Sequence, residues 1–157
     1  MPGDQLTIGH LFVIRWQTIE VGDLPAVIRD VRALRAKTGR QVIYVAIQDD
    51  DYREPGGAAK EEVKNQFPEL MKHVTMDYLV ITATGVRASL QRSFLKAMIT
   101  AGRITGIPDV DRIMILNRFT EVLAREARNL PAPASDILRE LHERGILHDH
   151  AVATTAP

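Results

Sequence analysis

The 157-residue sequence contains no cysteine. This excludes a disulfide framework, a thiolate metal site and a cysteine nucleophile. One Trp, three Tyr and four Phe are too few for a platform on which nucleic-acid bases would stack. The sequence also lacks an apolar run as long as a membrane span, and its start lacks the basic-then-apolar plan of a signal peptide. These absences predict a cytoplasmic protein that has no contact with a membrane.

The chain also lacks a net charge, because 20 basic residues balance 20 acidic residues. No overall field therefore attracts nucleic acid or an anionic lipid surface. The length suits one domain, which would bury about two thirds of the surface of the unfolded chain. We predict a flexible lead-in over residues 1–9, a single domain over residues 10–147 and a flexible tail over residues 148–157.

Short apolar runs rich in β-branched residues predict four strands, near residues 11–14, 41–47, 78–81 and 112–116. Helical patterns separate them, and the pattern that follows Gly85 runs through Leu90, Phe94 and Met98. A last helix is predicted after Pro133. Strands that alternate with helices predict an α/β fold with right-handed crossovers between parallel neighbours.

Residues 42–66 (VIYVAIQDDDYREPGGAAKEEVKNQ) join the second predicted strand to the next helix. Loops of this kind lie at the carboxyl edge of a sheet, where α/β domains often carry their function. Asp49, Asp50 and Asp51 are candidate Mg²⁺ ligands, because a hard cation requires several oxygen atoms. Three consecutive side chains point in different directions, however, so a solvated loop is the alternative. Gly56 and Gly57 suit either an anion-binding nest or a plain turn.

Thr84, Gly85 and Arg87 follow the third predicted strand and could hold a phosphate or carboxylate at the start of a helix. The alternative is that Thr84 caps the helix and Arg87 is solvated. His148 and His150 form an H-x-H pair that lacks a third metal ligand. Since no nucleophile, base or metal motif accompanies these residues, we predict no catalytic residue, no metal site and no cofactor.

The order of the elements resembles that of a STAS domain, the family of anti-sigma-factor antagonists and of the cytoplasmic ends of sulfate transporters. The resemblance covers roughly residues 10–130, and its segments are LFVIRWQTIEVGDLPAVIRDVRAL, VIYVAIQDDD with GGAAKEEV, YLVITATG and RIMILNRFTEVLAREA. It implies a small four-stranded, mostly parallel sheet with helices largely on one face. STAS domains usually begin with one more strand, for which this N-terminus has little room, and the last helix would be an addition.

In phosphorylated STAS domains, a partner kinase modifies a serine at the start of the helix after the central strand. The corresponding residues 54–59 read EPGGAA and contain no hydroxyl group. The resemblance therefore implies a non-enzymatic interaction or regulatory module in signalling that lacks a phosphorylation switch. Its partner would be a regulatory kinase, an anti-sigma-like protein or a second copy of the chain. The predicted partner-binding residues are Asp49, Asp50, Asp51, Tyr52, Gly56, Gly57 and Ala58.

Two other functions fit the same loops. A small-anion or nucleotide-binding domain would use the loop amides with Thr84, Gly85 and Arg87. A Mg²⁺-dependent phosphotransfer enzyme would use Asp49, Asp50 and Asp51, although such enzymes also need a lysine, a base or a phosphate cradle.

Overall fold

A computed structural model describes residues 3–148 of the chain. Five strands form a single sheet in the order in which they occur along the chain. The first strand is antiparallel to the second, and the others are parallel to their neighbours. The strands are β1 (Asp4–Ile8), β2 (Leu11–Arg15), β3 (Val42–Gln48), β4 (Val74–Ile81) and β5 (Ile113–Leu116). The predicted flexible tail lies outside the described residues, except for His148.

Five helices accompany the sheet, namely α1 (Asp23–Thr38), α2 (Gly57–Met71), α3 (Gly85–Ile104), α4 (Phe119–Arg125) and α5 (Ala134–Glu143). The first three each connect one parallel strand to the next, as crossover helices do. The end of α1 at Gly39 shows how the sequence sets such a boundary. Gly39 has a φ of 67°, which favours glycine, and its N–H donates to the carbonyl of Arg35. No helix among residues 3–148 has both the length and the apolar character needed to cross a membrane.

The core lies on both faces of the sheet, because successive side chains of a strand point to opposite sides. On β3, Tyr44 and Ala46 pack with α1 and α2, whereas Val45 and Ile47 pack with α4 and α5. All seven residues of β3 are buried. This double cover explains why β3 is almost continuously apolar instead of alternating with polar residues.

The predicted number of four strands is wrong, because residues 4–8, which we assigned to the flexible lead-in, form β1. The strand lies at the sheet edge and alternates, with Leu6 buried and its neighbours exposed. Gly9 has a φ of 52° and lets the chain turn directly into β2, where Ile8 pairs with Leu11. The N-terminus therefore does contain the additional strand for which little room was expected.

The prediction of helices largely on one face also needs correction. Helices α1, α2 and α3 lie on one face, while α4 and α5 cover the other. Ile137 and Leu141 of α5 are fully buried in the same core as β3. The added C-terminal helix thus covers the second face of its own sheet. The arrangement implied by the STAS resemblance, with helices largely on one face, did not include this cover. The general α/β class is confirmed.

Candidate functional site

Two strand-to-helix segments meet at the carboxyl edge of the sheet, and hydrogen bonds join them. One is the β3–α2 loop, residues 49–56, and the other is the start of α3. A carboxylate oxygen of Asp50 accepts a hydrogen bond from the backbone N–H of Thr84 at 2.9 Å. The Arg87 guanidinium donates to the carbonyl of Tyr52 at 3.3 Å. The structure therefore brings together two sets of residues that the sequence presented as separate candidates.

The aspartate cluster neutralises a buried arginine at the end of β2. The guanidinium of Arg15, which is 5% exposed, donates from Nε to Asp49 Oδ2 at 2.7 Å. Its terminal nitrogens reach Asp51 Oδ2 at 3.3 Å and Asp4 Oδ2 at 3.4 Å. A charge removed from water requires such partners. Sequence reasoning missed this role, although a lone arginine that ends an apolar strand is a signal that could have suggested it.

These contacts leave no arrangement suited to a magnesium ion. Asp49 and Asp51 are directed at Arg15, and Asp50 is directed at the amide of Thr84. Within residues 3–148, no three His, Asp or Glu side chains converge in a way that could hold a metal ion. His148 lies 4.0 Å from Asp49, while His150, the other member of the H-x-H pair, lies outside the described residues.

Two donors of the candidate anion site, the Thr84 amide and the Arg87 guanidinium, bind groups of the β3–α2 loop. At the start of α3, the Asp50 carboxylate already supplies the negative charge that a helix N-terminus favours. Gly85 has a φ of 86°, so the glycine serves the backbone turn into the helix. The Arg87 guanidinium donates to the backbone carbonyl of Tyr52. The predicted residues are thus neighbours that bind each other.

The remaining predicted loop residues lie beside this network. Tyr52 is buried, and its burial together with the nearby Glu54 carboxylate raises the pKa of the phenol to about 12. Gly57 and Ala58 are exposed in the first turn of α2. A Cβ added at Gly56 or Gly57 would meet nothing within 4 Å, and neither residue has a positive φ. Neither the backbone conformation nor close packing therefore requires glycine at these two positions, and the surface beside them is open.

The most unusual surface of the described chain lies on α3. Among residues 3–148, seven large apolar side chains are exposed, and six belong to α3 or to the turn after it. We call these six the α3 apolar face. They are Val86 (77% exposed), Leu90 (66%), Phe94 (61%), Met98 (54%), Ile104 (82%) and Ile107 (54%). Sequence reasoning found the helical spacing but not this surface, because spacing does not show what covers an apolar face.

An open groove of about 440 Å³ connects the α3 apolar face to the β3–α2 loop. It combines an apolar wall from α3 with polar groups from both segments. The lining residues are Tyr52, Glu54, Val86, Arg87, Leu90, Gln91 and Phe94. The predicted partner-binding loop and the exposed helix therefore form one continuous surface.

Comparisons of the chain with models of known protein families, with curated proteins and with solved structures return no match. The fold and the site define the protein only as an α/β domain whose third helix begins at the carboxyl edge of the sheet and presents an exposed apolar face. The STAS resemblance stays a hypothesis.

Proposed function

We propose that the protein is a non-enzymatic, STAS-like interaction module that docks a protein partner on the β3–α2 loop and the α3 apolar face. The observation that carries the proposal is the concentration of exposed large apolar side chains beside the loop predicted to bind a partner. Monomeric proteins rarely expose contiguous apolar patches of this kind unless the patch binds something. Elsewhere in residues 3–148, Val21 is the one large apolar side chain that is exposed, and the others are buried or partly buried.

Energetics favour a partner on this surface. Covering a large apolar side chain stabilises by about 1.5–3 kcal/mol relative to leaving it in water. Because the six side chains are 54–82% exposed, covering them contributes part of these values, and this contribution acts against the cost of bringing two molecules together at an interface. Exposed positions elsewhere on the described chain do not offer a comparable cluster.

The helix that carries this surface is held in place without covering it. Arg92 donates to the carbonyls of Ile81 and Ala83, at 2.7 and 2.8 Å. At the other end, the absence of a side chain at Gly102 lets α3 contact Val110 closely. Ala88 and Gly102 are the buried residues of α3. These small contacts anchor the helix through one face and leave its apolar face available.

The STAS part of the proposal is supported by β1, which supplies the additional strand with which that family usually begins. Since residues 54–59 contain no hydroxyl group, such a module would bind without a phosphorylation switch in this loop. The anion-binding and phosphotransfer alternatives have no observation in their favour. The amide of Thr84 and the carboxylates of Asp49 and Asp51 are occupied by groups of the chain itself.

Site-specific photo-cross-linking in the native host tests the proposal. A photoreactive phenylalanine derivative is placed at Phe94, and a matched control carries it at Lys37, an exposed residue of α1. We expect discrete protein adducts from position 94 and none of the same mass from position 37. Absence of any adduct at position 94, in protein shown to be folded, would overturn the proposed function.

A further inference from the structure

We infer that the partner covering the α3 apolar face is a second copy of this chain, joined by antiparallel pairing of two α3 helices across a two-fold axis. The inference rests on the proposed function and specifies its partner. A two-fold interface requires one surface to complement itself. Both the distribution of charge and the spacing of large and small residues around α3 meet this requirement.

Three of the four cations of α3 lie away from its apolar face, whereas Arg87 lies on that face, roughly 20° around the helix from Phe94. The 20 residues of the helix include four cations and no acidic residue. At 100° per residue, Arg92, Lys96 and Arg103 lie roughly 160–180° around the helix from Phe94. The fourth cation, Arg87, donates to the carbonyl of Tyr52. Two copies can therefore bring their apolar faces together without placing cations opposite cations.

The positions of Arg92, Lys96 and Arg103 argue against an anionic membrane or an acidic helix as the partner, and Arg87 on the apolar face already donates to Tyr52. Amphipathic helices that bind such partners place cations where they reach the bound surface. Lys96 and Arg103 are instead exposed on the opposite side of α3. An unidentified charged partner would leave these cations unused, whereas a second copy does not need them.

The spacing of the α3 apolar face is self-complementary in the antiparallel direction. The face extends from Val86 to Ile107, and its midpoint falls between residues 96 and 97. A two-fold axis at that point places Val86 opposite Ile107 of the second copy. It also brings Phe94 beside Met98, a favourable contact between an aromatic ring and a sulfur atom.

Small residues allow the two helices to approach at the centre of this pairing. Ala97 and Ala101 lie within roughly 60° of Phe94 around the helix. Both are exposed, so no part of residues 3–148 occupies the space beside them. The twenty residues of α3 provide a contact about 30 Å long.

The experiment uses the full chain, whose lack of cysteine makes each introduced thiol unique. Ala97→Cys places a thiol beside the predicted axis, close to its own copy. Val86→Cys places one on the same face, but roughly 30 Å from its copy along the paired helices. A disulfide requires Cα atoms about 4.4–6.8 Å apart. We expect Ala97→Cys to form a covalent dimer on oxidation and Val86→Cys to stay monomeric on a denaturing gel.

Light scattering after size exclusion supplies the second measurement. We expect the mass of two chains for the wild type, and the mass of one chain for Leu90→Arg/Phe94→Arg with an unchanged circular dichroism spectrum.

A one-chain mass for the wild type at every concentration would overturn the inference. Equal cross-linking of Val86→Cys and Ala97→Cys would overturn the antiparallel register. Photo-adducts at Phe94 with a different protein would retain the proposed function while refuting self-association, whereas the absence of all adducts would refute both.

Discussion

Replacing Arg15 by alanine is the substitution for which the structure predicts the largest loss of stability at the carboxyl edge. Arg15 is buried, and its shortest contact is with Asp49, whose side chain is itself only 14% exposed. Without the guanidinium, the Asp49 carboxylate would stay in a poorly hydrated position, with only the largely exposed His148 imidazole 4.0 Å away. The two remaining partners, Asp51 and Asp4, are mostly exposed and can be rehydrated.

The magnitude follows from these exposures. Breaking a buried ion pair by removing one partner typically costs about 3–5 kcal/mol. Exposed ion pairs contribute only about 0–1 kcal/mol each, so Asp51 and Asp4 add little. We therefore expect Arg15→Ala to lower the free energy of unfolding by about 3–5 kcal/mol.

Urea denaturation at one fixed protein concentration measures this change, because association would otherwise shift the apparent stability. Arg32→Ala is the matched control. Arg32 pairs with Glu69 at 3.1 Å, but its side chain is 58% exposed, so we expect a loss below about 1 kcal/mol. A loss below about 1 kcal/mol for Arg15→Ala as well would refute the argument that the acidic cluster serves to neutralise a buried charge.

Three further changes have defined outcomes. Gly102→Leu should lower stability by about 1–3 kcal/mol in thermal unfolding, because even a Cβ would lie 3.0 Å from both Val110 methyl groups. Asp50→Ala should cost about 1 kcal/mol and speed hydrogen exchange at the Thr84 amide, which loses its acceptor. Burial raises the pKa of the Asp77 carboxyl from 3.8 to about 7, so the folded state holds a proton that the unfolded chain releases. The free energy of unfolding should therefore fall between about pH 4 and 7, by up to about 4 kcal/mol, and Asp77→Asn should remove this fall.

Each of these has a control or a contradicting result. Gly57→Leu should be nearly neutral, because no atom lies within 4 Å of the position of its Cβ. Equal losses of stability for Gly57→Leu and Gly102→Leu would show that close packing of α3 on Val110 does not cause the destabilisation. Unchanged exchange at Thr84 in Asp50→Ala would contradict the hydrogen bond between the two segments. If the free energy of unfolding of Asp77→Asn falls with pH as in the wild type, another group causes the pH dependence.

The sequence predicted the parallel strands well because they appear as apolar runs, which in β2 and β3 are buried on both faces throughout. It missed β1 because an edge strand with one covered face buries few residues, here mainly Leu6. The alternation of Leu6 and Ile8 with polar residues, followed by Gly9, was the available signal. The sequence also could not assign α4 and α5 to the second face, because a helical pattern does not indicate which side of a sheet the helix covers.

For the candidate site, the sequence located both segments but not their relation. Asp50 and Thr84 are 34 positions apart, so their hydrogen bond depends on the order of strands in the sheet. The roles of Asp49 and Asp51 depend in the same way on Arg15 at the end of the neighbouring strand. Leu90, Phe94 and Met98 show a helical period, but only the tertiary structure reveals that residues 3–148 leave them uncovered.

The central claim is that the α3 apolar face is covered when the protein works. The chain has no cysteine, so Leu90→Cys and the control Lys37→Cys each report one position to a membrane-permeant maleimide. Both residues are exposed in the isolated chain. In cells of the native host, we predict that Leu90→Cys is labelled much more slowly than Lys37→Cys, and that unfolding the protein makes the two rates equal. Equal rates in intact cells would contradict the account.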